Sequence, residues 1–242
     1  HLIYDYGYVL LALGELTNDT QVLESAITQF EVILRNQKDA VLQHPNWLFY
    51  YGMALDLLGE AQDEDVDSLY FRAIEVFNSV LLIDPDYPNI YYYLALSFSH
   101  LAQSSGEQKS FQLSLNYFKI AAQQNPENDL IFLEWGLLLA SLGEQDFDAR
   151  AQEQAFLEAE QKIIRAGQLG NQHAYYHLGC LYSMTRRLDK ALQMLEKAQQ
   201  AEILPTAEEL KEEEWLENLR QTDAFNRFLA LLENKERLID GR

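Results

Sequence analysis

The sequence predicts an all-α protein, a solenoid of stacked helical hairpins, on three observations. Apolar residues recur at intervals of three and four along most of the 242 residues, the spacing of amphipathic helices. Only five prolines and eleven glycines interrupt that spacing. The same residue pattern then returns at five places, and self-similarity at a steady period marks a repeat architecture.

The first half of the pattern is a large residue, then after two residues another large residue directly followed by Gly or Ala, then two more and a further large one. It reads Ile3, Tyr6, Gly7, Leu10; Leu48, Tyr51, Gly52, Leu55; Tyr91, Leu94, Ala95, Phe98; Phe132, Trp135, Gly136, Leu139; and Tyr175, Leu178, Gly179, Tyr182. The second half is a small residue, an apolar residue four on, another small or aliphatic one three further, and often a proline five beyond. It appears as Ala73, Phe77, Val80, Pro85; Ser114, Phe118, Ala121, Pro126; and Ala191, Leu195, Ala198, with weaker copies at Ala26, Phe30, Ile33 and at Ala159, Ile163, Ala166. Both spacings are helical, and proline marks where the second helix stops. The unit is therefore two antiparallel helices, the first carrying a small residue so that its neighbour approaches closely.

This double signature resembles the tetratricopeptide-repeat (TPR) family, over roughly residues 1–203. The resemblance implies a right-handed α-solenoid of about five hairpins, with repeats near 1–44, 45–87, 88–128, 129–171 and 172–205. From Gly179 to Ala191 is 12 residues, the spacing of an uninterrupted repeat of about 34. The gap is 19 from Gly7 to Ala26, 21 from Gly52 to Ala73, 19 from Ala95 to Ser114 and 23 from Gly136 to Ala159, so four hairpins are lengthened by polar, mostly acidic insertions. These are expected to form longer helix ends and solvated loops.

After Pro205 the pattern changes. Thr206 is placed to cap a helix whose first turn is acidic, and Phe225, Phe228, Leu229 and Leu232 share one face of the next. Residues 206–242 resemble the segment that closes many bacterial TPR arrays, covering the apolar face of the last repeat. The opening "HLIYDYG" reads as a trimmed start, with further sequence expected before it.

Composition narrows the function. A hydrophobic content of 48% supports a packed core, while 38 acidic against 18 basic residues, a formal charge of −20, argues against nucleic acid and anionic membranes. A basic or neutral protein partner suits that surface better. Cys180 is the single cysteine, which rules out an intramolecular disulfide and fits a reducing, cytoplasmic setting. No apolar run reaches the roughly 18 residues of a membrane span.

The chain has no glycine-rich phosphate loop, nucleophile elbow, HExxH or Cys-x-x-Cys, so neither an enzyme nor a cofactor is expected. The acidic run Asp63 to Asp67 lacks the glycine and terminal glutamate of a calcium loop. His173, His177 and Cys180 share a helix face and are zinc-type ligands, but no fourth ligand accompanies them, so no metal site is assigned.

The TPR resemblance implies a concave groove, lined by the first helix of each repeat, that holds an extended or helical peptide. Helical geometry sends into it the residue after the first large position, Tyr4, Phe49, Tyr92, Leu133 and Tyr176. The residue after the small one follows: Tyr8, Met53, Leu96, Leu137 and Cys180. Tyr50, Tyr93, Glu134 and His177 flank the stripe. None of these is Lys, Arg or Asn, so a clamp for acidic tails is disfavoured and an apolar or amphipathic segment is favoured. The expected function is a protein–protein interaction module. The alternatives are a bacterial TPR-type secretion chaperone holding a hydrophobic segment, and a section of a larger or self-associating scaffold.

Overall fold

A computed structural model of the chain describes residues 2–36, 43–62, 64–145 and 148–240. Asp63, the first residue of the acidic run, lies outside these. The described residues are helical with connecting turns and contain no strand. The chain divides into two compact units, 1–126 and 127–242.

The first unit holds α1 (Leu2–Thr17), α2 (Thr20–Asn36), α3 (Pro45–Ala61), α4 (Val66–Ile83), α5 (Ile90–Ser105) and α6 (Gln108–Gln124). Consecutive helices pair as three hairpins, and the hairpins stack through α2 on α3 and α4 on α5. Local chemistry sets the ends. Asp19 accepts the amides of Gln21 and Val22 at the start of α2, Pro45 opens α3, and Gly106 closes α5 with a left-handed φ of 69°. The lengthened repeats put most of their extra residues into helix: α1 and α2 are separated by Asn18 and Asp19 alone.

The two half-signatures meet in the hairpin cores. A Cβ added to Gly52 would lie 2.6 Å from the Phe77 ring, and one added to Gly7 would lie 3.3 Å from Phe30. The third hairpin carries Ala95 at this position, and there the buried Ser114 hydroxyl donates to the Ala95 carbonyl at 2.7 Å. Phe30, Phe77 and Phe118 are fully buried, as the helical spacing of the second signature requires.

The second unit holds α7 (Asp129–Gln145), α8 (Ala149–Gln168), α9 (Ala174–Met184), α10 (Leu188–Gln200), α11 (Ala207–Glu212), a 3₁₀ turn (Glu214–Leu216), α12 (Glu217–Arg220) and α13 (Asp223–Asp240). Its hairpins, α7 with α8 and α9 with α10, repeat the same contact: Gly136 lies against Ile163 and Gly179 against Leu195. Thr206 and Glu209 form a reciprocal capping box at α11. The buried Leu216 and Leu219 belong to elements that pack on α9. Residues 206–240 lie in the same compact unit as the last two hairpins.

Candidate protein-interaction face

In the first unit the first helices α1, α3 and α5 lie in contact, α3 touching both of the others. Adjacent residues on each helix point about 100° apart, and in α3 the result is that Phe49 and Tyr50 pack in opposite directions along the stack. Tyr50 leans on Tyr8, ring centroids 4.9 Å apart, and on Tyr4 at 6.2 Å. Phe49 meets Tyr93 edge to face at 4.9 Å and Tyr87 at 4.9 Å. Tyr93 continues to Tyr92, 5.2 Å away. The rings make one relay across three hairpins, in edge and tilted geometries that aromatic quadrupoles favour. Burial raises the hydroxyl pKa of Tyr4, Tyr50 and Tyr93 above the usual tyrosine value.

The relay settles which named residues have surface to offer. Phe49 is only 8% exposed, because Tyr87 and Tyr93 cover it; it is a stacking residue between hairpins. Tyr4 is half-buried between Phe30 and Trp47, its hydroxyl accepting from Asn46 at 2.9 Å. Tyr92 and Tyr93 are likewise half-buried, and Tyr93 also packs on Phe77. At the position after the small residue, Tyr8 is 44% exposed, while Met53 and Leu96 are half-buried like Tyr92 and Tyr93. Of the three tyrosines in sequence, Tyr91 stacks on Tyr117 of its own hairpin.

In the second unit the equivalent positions are mostly covered. Leu133 is buried and Leu137 half-buried. Tyr176 donates its hydroxyl to Glu213 at 2.8 Å, and its ring lies edge to face on His177. Cys180, 1% exposed, has its thiol pKa pushed up by burial, which disfavours the thiolate. Burial also pushes the His177 imidazole down to about 4, leaving it neutral at pH 7. The covering segment is the chain's own: Asn218 and the Leu219 amide donate to Ser183 of α9, and Glu213 reaches Tyr176. Cys180 and Leu133 are therefore core residues, and Tyr176 and His177 face the closing segment. Among the described residues, His173, His177 and Cys180 do not gather into a metal-type cluster.

No protein-family profile matches the sequence. No curated protein matches it either. Solved structures do. TTC0263, a thermophilic TPR protein of Thermus thermophilus, superposes with a TM-score of 0.59 at 24% identity over 80% of this chain and 90% of that one. The chain has the tetratricopeptide-repeat fold. Two structures of MamA agree: the RS-1 ArsTM double mutant (TM-score 0.54, 18% identity, 82% of this chain, 95% of that one) and the 41-end portion from Desulfovibrio magneticus RS-1 (0.51, 19%, 82% and 95%). No helix among the described residues is long and apolar enough to cross a membrane.

The TPR face of the first unit is less uncharged than its sequence suggests. Between α3 and α5, Asp56 accepts the Ser97 hydroxyl at 2.6 Å and lies 3.1 Å from His100 Nδ1, while Glu60 lies 3.2 Å from His100 Nε2. The Tyr70 ring backs the imidazole at 5.3 Å. A sequence signal existed: Asp56 is a single acid inside the apolar run "GMALDLLG", and Glu60 follows one helical turn on. Their partner is some forty residues away, and no periodicity links it to them.

Proposed function

We propose that this TPR protein is a protein–protein interaction module whose α1, α3 and α5 face binds a segment of a partner protein. The observation that carries the reading is the set Tyr8, Met53 and Leu96: equivalent positions on touching helices, Tyr8 exposed and Met53 and Leu96 half-buried, beside the half-buried rings of Tyr50, Tyr92 and Tyr93. Such a face supplies apolar area on a rigid support, so little entropy is lost on binding. The partner segment, extended or helical, presents apolar residues to this stripe, and the net charge of −20 favours basic residues beside them. Tyr50, Tyr92 and Tyr93 contribute ring edges. In the second unit Leu137 is the named residue with a comparable position.

The test is affinity capture with wild type and with the pair Met53→Glu, Leu96→Glu. Both sites are partly open, so helical content by circular dichroism should be unchanged. A partner held by wild type should be lost from the double variant. One retained equally by both places the binding surface elsewhere.

A further inference from the structure

We propose that the chain self-associates head to tail, the outer face of α1 in one molecule receiving the outer face of α13 from a second copy. Aligned on Gly7, Gly52 and Ala95, Tyr6 and Leu13 of α1 correspond to Tyr51 and Leu58 of α3 and to Leu94 and Leu101 of α5. The four residues on α3 and α5 are buried, because the preceding hairpin packs on each helix; Tyr51, for instance, donates its hydroxyl to Glu31 of α2 at 3.1 Å. On α1 the same positions lie open, Tyr6 at 56% and Leu13 at 44% exposure. Val9 and Leu16, 59% and 84% exposed, share their side of the helix and complete an apolar stripe nearly four turns long. A continuous apolar stripe at a position that is a helix-packing surface in the next two hairpins is an interface awaiting a helix.

α13 supplies a face of matching form. Phe225, Phe228, Leu229 and Leu232 bury one side of it. On the other side Arg227, Leu231, Asn234 and Leu238 recur at i, i+4, i+7 and i+11, a single helical stripe, with Leu231 and Leu238 both largely exposed. Lys235 borders that stripe, and between Arg227 and Leu238 no acidic residue falls on it, in a chain of 38 acidic and 18 basic residues. α1 has the opposite borders: Asp5 and Glu15 are exposed, and the helix contains no basic residue. Pairing α1 with α1, or α13 with α13, would set like charges together, whereas α1 on α13 sets acids beside bases and apolar stripe against apolar stripe. The charge pattern therefore selects a heterologous contact, which leaves one face of each kind unused at the ends of any open assembly. Tyr8 lies about 100° round the helix from Val9, so this contact is separate from the face proposed to bind a partner segment and does not rest on that reading.

The experiment is sedimentation velocity on the full chain at rising concentration. The wild type should show species larger than the monomer that grow with concentration. The pair Leu13→Gln, Leu16→Gln on α1 and, separately, the pair Leu231→Gln, Leu238→Gln on α13 should each abolish association. All four side chains are exposed, so helical content by circular dichroism should be unchanged. Mixed in equal amounts, the two variants retain one intact face each and should form a dimer and nothing larger. Should either pair lose helical content, Arg227→Glu with Lys235→Glu takes its place and should likewise leave the chain monomeric. A wild type that stays monomeric at the highest concentration that remains in solution, a folded variant that associates as the wild type does, or a mixture of the two folded pair variants that yields no dimer overturns the proposal.

Discussion

Phe77→Ala is expected to destabilise the first unit by about 3–5 kcal/mol. Phe77 is fully buried and carries the contact between the two halves of its repeat, its ring lying where a Cβ on Gly52 would sit 2.6 Å away. It also supports the relay, with ring centroids 5.9 Å from Phe49 and 5.8 Å from Tyr93. Truncation removes the burial of a whole aromatic ring and leaves a cavity that the close-packed helices fill only in part. Repeat arrays lose stability locally, through each repeat and its neighbours, so hydrogen exchange is the appropriate readout. Protection should fall in α3, α4 and α5 while the second unit is spared. A uniform small loss would mean that Phe77 is not the centre of its hairpin.

Gly136→Val is expected to cost the second unit about 1–3 kcal/mol or more, by overpacking rather than by a void. A Cβ at Gly136 meets Ile163 Cγ1 at 2.6 Å, and the Ala159 carbonyl oxygen and the Ile163 amide nitrogen at 3.2 Å. The Ile163 side chain has some freedom to turn, but the backbone of α8 has none to spare. Combining Gly136→Val with Ile163→Ala should therefore recover part of the loss, a coupling that two independent sites would not show. Chemical unfolding followed by circular dichroism measures both variants. Strict additivity would separate Gly136 from the α7–α8 contact.

The hairpins were legible in the sequence because their determinants are local and periodic. Gly52 and Phe77, or Gly136 and Ile163, lie within one repeat, and each pair restates the same steric rule. The proposed binding stripe was only partly legible. Phe49 and Tyr50 are neighbours in sequence, but whether a ring faces solvent or the next hairpin depends on how the hairpins stack, which no single helix encodes. At Tyr176, His177 and Cys180 the covering residues, from Glu213 to Leu219, come from a segment that carries no repeat signature. Asp56 and His100 were missed for the same physical reason, since stacking rather than spacing brings them together.

The claim that α1, α3 and α5 form the binding face is tested most directly by photo-crosslinking. A photoreactive residue replacing Met53 or Leu96 should capture a discrete partner segment, and one replacing Leu82, 86% exposed on the second helix of its hairpin, should not. Capture at position 82 with none at 53 or 96 would contradict the account.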